Sequence, residues 1–431
     1  MLDEPLQASV FARWTTTAAL TALILTACGD AATDAPTGQS TGQQDQQSAE
    51  ADSPNEATDN ADGEADTDER DESDVSDSDA ADDEDDEDVP SAASTVMSEV
   101  ETITGEITPK SVVASGDGLV IANNMMYSHT VTFYDAEERE LVQTLDDSVD
   151  FSEYGVDGYD GEVSGAPVEA VWTEDGQYAY VSQYQLTGHG ATANDNCAGG
   201  EGIAESVVYR YSVAEEDWDQ VIEVGRVPKF VALSPGDEQL LVSNWCDQSL
   251  SVVDIETGQE AEQIPLNSMP RGIEVLPDGE TAYVTAMYAN EVYKVDLETG
   301  QSELAFTTGD RPRHLVLSED GEHLYLTVAG ANQLLKIEAE SGEIVDEVGT
   351  GLEPRSMDIS ADGTALYVVN YDENTVSKYD AETLEELQRE PTGGLPVGVT
   401  YEAVTNTVWV ANYSGSLTVF DDTDVGNDSD Q

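Results

Sequence analysis

Positive charge is what this chain has least of. It carries 15 Lys and Arg against 91 Asp and Glu, a formal charge of −76 over 431 residues. A surface of that sign excludes nucleic acid as a partner, because phosphates demand Lys and Arg. It equally excludes electrostatic docking on anionic lipid. Repulsion on this scale fits work in high salt, where the screening length contracts to about 3 Å at 1 M. Histidine is thin as well: His129, His189, His314 and His323 are the four, and no pair has ligand spacing. No metal site and no cofactor are therefore expected. The three cysteines, Cys28, Cys197 and Cys246, form neither CxxC nor CxxCH, which rules out a thioredoxin-type site and covalent c-type haem. GxSxG, HExxH, P-loop and dinucleotide glycine motifs are missing too, so no nucleophile–base pair can be named.

Long apolar runs are also lacking, with one short exception. "TTTAALTALILTAC" (15–28) suits a signal-peptide h-region better than a membrane span of about 20 residues. Arg13 supplies the positive flank, whereas Asp3 and Glu4 are out of place there and fit a true start near Val10. The ending Leu25-Thr26-Ala27-Cys28 resembles the bacterial lipobox. That resemblance implies a lipoprotein signal peptide over 1–27, cleavage before Cys28 and lipid on its sulfur. From Asp30 to Val100 there is no aromatic residue, and the stretch ends in "DDEDDED" (82–88). Such a segment buries too little apolar surface to offset the entropy of ordering. Residues 28–100 are thus read as a lipidated Cys and a disordered acidic tether, extended by its own repulsion.

What is abundant is repetition. Pro228, Pro270, Pro312, Pro354 and Pro396 recur every 42 residues, with Pro109 and Pro167 as earlier, more widely spaced members. After each proline comes a short alternating segment such as "KFVALS" or "RHLVLS", then usually an Asp-Gly turn. A second segment follows, as in "YVTAM", "YVVNY" or "WVANY". A third ends in Asp or Glu, and an "ETGQ"-type turn leads to a fourth. Period-2 patterning rich in Val, Tyr and Thr predicts four strands per unit. A four-stranded sheet with two apolar faces shields neither alone, but radially stacked sheets shield both. Seven prolines predict seven units. The last has three strands, and "ETITGEIT" (101–108) is expected to supply its fourth and close the ring.

These units resemble the YVTN-type β-propeller repeat family of exported bacterial and archaeal surface proteins. The likeness covers 101–422 and is strongest from Pro228 onward. It implies an all-β, seven-bladed propeller of four-stranded antiparallel blades over 101–423, with a disordered acidic tail at 424–431.

Strand parity puts the proline turns and the turns after the second strand on one rim. There the residue following the proline is Lys110, Lys229, Arg271, Arg313 or Arg355, a third of all the cations in the chain, and His314 lies beside them. Convergence of these groups favours an anionic ligand, with Arg offering bidentate contacts. The competing structural role is pairing with Glu353, Asp310, Glu274 or Asp358 to fasten neighbouring blades. Tyr184, Trp245, Tyr371 and Tyr413, with Met287 at a fifth equivalent position, add rim aromatics, and Asn244, Asn370 and Asn412 add amides. Such groups suit sugars, peptides or a protein partner, or else pack neighbouring loops and cap turns.

The insertion 185–206 lies on the same rim and brings Cys197 near Cys246 of the next unit. In an exported protein the pair is expected to form a disulfide, pinning the insertion as a lid or wall over the channel. The acidic, Gly-rich run 153–165 is read as a solvated loop. The expectation is a monomeric, lipid-anchored, extracytoplasmic scaffold that binds a cell-envelope protein or a small anionic ligand. One alternative is a lactonase-type hydrolase acting on an anionic sugar acid, with Arg313, His314 and Arg355 orienting substrate and polarising a carbonyl. Another is a docking partner for a periplasmic redox protein.

Overall fold

The computed structural model describes residues 90–159, 161–188, 196–197 and 202–425. All of them belong to one compact unit, Asp82–Gln431. The expected signal peptide, Cys28 and the stretch before Pro90 lie outside the described residues, as do His189 and 426–431. No helix among the described residues is long and apolar enough to cross a membrane.

Seven four-stranded antiparallel sheets form, together with one two-stranded ribbon. Their innermost strands are Ser111–Ala114, Pro167–Trp172, Pro228–Leu233, Pro270–Val275, Pro312–Leu317, Pro354–Ile359 and Pro396–Glu402, which define blades 1 to 7. Each packs against the next, and the seventh packs against the first. The ring is closed, and the protein is a seven-bladed β-propeller.

Apolar residues on both faces of each sheet explain the stacking. In blade 4, Val284 and Val295 meet Leu241, Leu250 and Ile264 of blade 3. On the other face Tyr283 and Val292 meet Leu324, Leu326 and Leu335 of blade 5. Full burial of such a side chain contributes roughly 1.5–3 kcal/mol, so the core is a set of inter-blade layers rather than one central cluster. Between first and second strands, Gly279, Gly321 and Gly363 take φ values of 69°, 72° and 68°, a left-handed conformation that favours glycine.

Tyrosine and lysine side chains stitch the blades further. Tyr283 donates its hydroxyl to the Ala339 carbonyl at 2.8 Å, and Tyr325 to that of Ala381 at 2.7 Å. Lys336 donates to the Glu382 carbonyl at 2.9 Å. The equivalent Lys378 is fully buried and reaches both oxygens of Asp422, at 2.7 and 2.8 Å. It also donates to the carbonyl and hydroxyl oxygens of Thr95, both at 3.0 Å. Tyr367 donates to Asp422 as well.

Thr95 belongs to the strand that completes the ring. Thr95–Thr104 pairs antiparallel with Ser416–Val425, from Thr95↔Val425 to Thr104↔Ser416. Closure by an N-terminal strand is as expected, but the boundaries differ. The strand starts before residue 101 and follows a 3-10 turn at Ala92–Ser94, inside the segment assigned to the tether. Ala92 and Met97 are buried, and the Ala92 and Ala93 N–H groups donate to Asp362 and Thr364 at 2.8 and 3.0 Å. "SAASTVM" therefore carries small apolar anchors that average out in an acidic composition. The final strand likewise runs into the expected tail, to Val425.

The run 153–165 also differs from a solvated loop. A 3-10 turn at Phe151–Tyr154 and a ribbon of Ser148–Asp150 with Glu162–Ser164 seat Phe151, Val156 and Val163 in the core between blades 1 and 2.

Candidate functional site at the channel mouth

Prolines fix where the innermost strands begin. Pro228 pairs with Asn244, Pro270 with Ala286, Pro312 with Val328, Pro354 with Asn370 and Pro396 with Asn412. The turn before strand one and the turn after strand two therefore share a pole, as strand parity requires. Just before the prolines, Val227, Arg311, Glu353 and Leu395 have φ values of 59°, 62°, 54° and 59°, a conformation costing on the order of 1–3 kcal/mol each. Asparagines of the preceding blade hold three of them. Asn290 accepts the Arg311 N–H at 3.0 Å, Asn332 that of Glu353 at 2.8 Å and Asn374 that of Leu395 at 2.7 Å. These asparagines recur every 42 residues, a signal present in the sequence and missed there.

The cations that follow the prolines lie below the rim, not on it. Lys110, Lys229, Arg271, Arg313 and Arg355 are each between 5% and 9% exposed. Aromatic rings cover several. Lys229 sits 4.1 Å from the Tyr184 ring centre and 4.9 Å from that of Trp245. The Arg355 guanidinium lies 3.4 Å from the Tyr371 ring centre, and the Lys110 ammonium 5.8 Å from that of Tyr413. Such contacts stabilise by roughly 0.5–2 kcal/mol. Arg355 also donates to Glu353 at 2.6 Å. The expected pairing of cations with carboxylates thus holds for Glu353, while Asp310 takes Arg311 at 3.4 Å.

The three asparagines expected as rim amides are fully buried. Each pins the second strand of its blade to the third: Asn244 donates to Ser251, Asn370 to Thr375 and Ser377, and Asn412 to Thr418. They are unavailable to a ligand. Tyr184 is also buried, whereas Trp245, Tyr371 and Tyr413 are half-buried.

One residue further along the innermost strands, Glu169, Phe230, His314 and Ser356 face the lumen. His314 Nδ1 lies 3.1 Å from the Ser356 hydroxyl and accepts the Met357 N–H at 3.2 Å. Its ring meets Phe230 edge to face with centres 5.0 Å apart. Burial, then the charges of Arg271, Arg313 and Lys110, push the His314 pKa down to about 3. The ring is therefore neutral, and with Nδ1 accepting, its proton is on Nε2. Burial also holds the Lys110 ammonium well below its usual pKa, aided by Arg271, Arg313 and Lys229, while Glu169 opposes the shift. Glu169 itself is raised by burial and pulled back by Lys110 and Arg271. Sequence reading missed Glu169 because blade 2 departs from the repeat. Between Arg271, Arg313, His314, Ser356, Glu169 and Phe230 lies a cavity of about 10 Å³, the room one water molecule needs.

Two positions further along the innermost strands stand Glu274 and Asp358. Burial and then the Asp358 charge push Glu274 up to about 8. Burial raises Asp358 even though it accepts the N–H groups of Tyr401 and Ile359, both at 2.8 Å.

The expected disulfide is present. Cys197 and Cys246 are bonded with Cα atoms 5.0 Å apart. Cys246 packs on a small apolar cluster of Met125, Val168, Tyr184 and Val227 at the mouth. Of the insertion, residues 189–195 and 198–201 lie outside the described residues, so the expected lid over the channel does too. His129, near the same pole, has Nδ1 3.1 Å from Asp147 Oδ2, which raises its pKa. His323 is at the opposite pole, where its ligand atom and those of Asp320 and Glu322 lie within 4.8 Å of one another in an exposed turn.

No protein-family model matches the chain, and no curated protein matches its sequence. Among solved structures it is similar to hydrazine synthase of Kuenenia stuttgartiensis, with a TM-score of 0.57 and 17% identity. The match covers 74% of this chain and 96% of that one. The likeness is one of fold. At this identity it carries the propeller and nothing of that enzyme's chemistry.

Proposed function

We propose that this protein is an extracytoplasmic binding scaffold of the YVTN-repeat type, anchored by lipid on Cys28, whose basic pole recognises an anionic group on a cell-envelope partner or small ligand. The observation carrying this reading is the convergence of Lys110, Arg271 and Arg313 at one mouth of a chain with a net charge of −76. Burial first, and then the charges of the neighbouring cations, lower the pKa of Lys110 and His314, a cost that has a purpose where negative charge is to be met. The half-buried Trp245, Tyr371 and Tyr413 around this pole give a partner aromatic surface to pack against. The Cys197–Cys246 bond supports an oxidising compartment.

Cavity size favours binding over lactone hydrolysis. A space of about 10 Å³ is the room of about one water molecule, so a larger anionic group meets the arginines from the mouth and is not enclosed among them. His314, beside the arginines, has Nδ1 occupied and stays neutral to about pH 3. Titration calorimetry of the full chain with inorganic phosphate and with an aspartate-rich peptide tests the reading. Binding of either ligand, lost when Arg271, Arg313 and Arg355 are all changed to Gln, is the expected result. Absence of heat with both ligands, or equal binding by the triple variant, would count against it.

A further inference from the structure

We infer that His129 is a proton-operated clasp on the two-stranded ribbon between blades 1 and 2. The device is separate from the arginines of the channel mouth and does not depend on their ligand.

The ribbon leaves the ring at Asp147 and returns at Gly165. Its arms pair as Ser148↔Ser164, Val149↔Val163 and Asp150↔Glu162, and the Gly165 N–H donates to the Asp147 carbonyl at 3.2 Å. His129 Nδ1 reaches both feet at once. It lies 3.1 Å from Asp147 Oδ2 and 3.1 Å from the Gly165 carbonyl oxygen. The Asp147 N–H in turn donates to the His129 carbonyl at 3.2 Å. His129 takes this position with a φ of 53°, a left-handed conformation uncommon outside glycine.

Both atoms facing Nδ1 are acceptors, so that nitrogen carries a proton in either charge state. The proton that comes and goes is the one on Nε2, and with the side chain 42% exposed it is open to solvent. Asp147 is the reverse, its side chain only 4% exposed. The hydrogen bond from Asp147 holds the His129 pKa up against burial, helped by the Gly165 carbonyl and the Asp147 charge. Burial raises Asp147, His129 opposes that shift, and the adjoining Asp146 adds to it. Two further elements close around the pair. Glu106 stands across the loop, its carbonyl taking the Ser128 hydroxyl at 2.8 Å. Tyr209 of blade 2 donates its hydroxyl to the Asp147 carbonyl at 3.1 Å. His129 is the cation among the groups acting on Asp147. Loss of its Nε2 proton leaves a buried carboxylate without counter-charge, a state that burial penalises.

What the clasp steadies is the wall of a cleft. The 3-10 turn Phe151–Tyr154 follows directly on the first arm. Tyr154, Gly155 and Val156 then form one side of a cavity of about 520 Å³, with Thr257, Gln259 and Glu260 of blade 3 across from them. Spaces of roughly 300–1,000 Å³ are the size that small ligands occupy. Because the folded pKa of His129 is raised from 6.5, the hold is complete below that value and is lost as pH rises through the folded pKa.

Amide hydrogen exchange of the full chain between about pH 5 and 9, corrected for intrinsic rates, tests the clasp beside NMR of labelled histidine. His129 is expected to titrate above 6.5. Peptides covering Ser148–Asp150 and Glu162–Gly165 should exchange faster once it is deprotonated, by about tenfold for each unit of pKa elevation. Strand Leu119–Asn124 of blade 1 is the internal reference and should not change. His129→Gln, which keeps an N–H donor without the charge, should hold the ribbon at its fast rate at every pH. Asp147→Asn should lower the His129 titration. Corrected ribbon exchange that is flat with pH, or a pH dependence that survives in His129→Gln, would overturn the inference. A His129 pKa at or below 6.5 would do the same. The wild-type titration and exchange decide the matter even where Asp147→Asn fails to fold.

Discussion

One buried ion pair joins blade 6 to the strands that close the ring. Lys378 in blade 6 holds Asp422 and Thr95, the last two contributed by the strands that close blade 7. Changing Asp422 to Ala leaves the Lys378 ammonium without its carboxylate at a site with no solvent exposure, and deprives the Tyr367 hydroxyl of its acceptor. Removing one member of a buried pair costs about 3–5 kcal/mol. Lys378→Met strands the carboxylate instead and belongs in the same range. Replacing both, as Lys378→Met with Asp422→Leu, leaves no charge behind and should recover much of the loss, since apolar groups of similar volume often substitute for buried pairs. Urea unfolding followed by tryptophan fluorescence suits the measurement, because Trp409 is buried in blade 7. Limited proteolysis should cut first within Thr95–Thr104 in the single variants. Single variants within about 1 kcal/mol of wild type, or a double variant whose loss equals the sum of the two, would refute the idea that this pair latches the ring.

Other predictions concern pH and redox state. His314 has a folded pKa of about 3, below the unfolded value of about 6.5. The unfolded chain therefore binds more protons between these values, so stability present above pH 6.5 falls away toward pH 3. His314→Gln should flatten that acid limb in a plot of Tm against pH, and an unchanged limb would show that the imidazole is not the group responsible. Glu274 runs the other way. Its folded pKa of about 8 exceeds the unfolded value of about 4.3. Its contribution is complete below the unfolded value and is lost as pH rises through 8, so Glu274→Gln should hold Tm steadier from pH 5 to 8. Removing the Cys197–Cys246 bond, which closes a separation of 49 residues, should cost about 4 kcal/mol on the chain-entropy account. Cys197→Ser with Cys246→Ser checks this by denaturant melts, and a variant as stable as the parent would contradict it.

The architecture was legible because it is written repeatedly. Prolines at 42-residue steps, Asp-Gly turns and two-faced strands each predict the same blade, and agreement among local signals is what makes a fold readable. The disulfide was legible from the expected export together with parity, which places two loops of adjacent blades at one pole. Depth was not. A strand pattern says which pole a residue is near but not how far under the rim it lies. The cations therefore look like a surface ring in sequence and form a buried cluster in the structure. Asn244, Asn370 and Asn412 illustrate the same limit: an amide beside a turn reads as a cap, yet here it pins one strand to the next. Non-repeating partners were invisible for another reason. Glu169 and Asp422 break the pattern of their own blades and acquire meaning only from neighbours in other blades. The start of the fold was blurred because a few anchoring residues, Ala92 and Met97 among them, follow a long acidic stretch.

The closing strand has a geometric consequence for handling the protein. Thr95 and Val425 are register partners, and Ala92 rests on the Asp362 turn, so the backbone arrives and departs beside the Asp-Gly turns, on the face away from the cations. A bead, a surface or a fusion partner joined directly at Pro90 or Val425, the ends of the described fold, hangs from that far side. Immobilised in this way, the molecule turns its positive opening toward the solution.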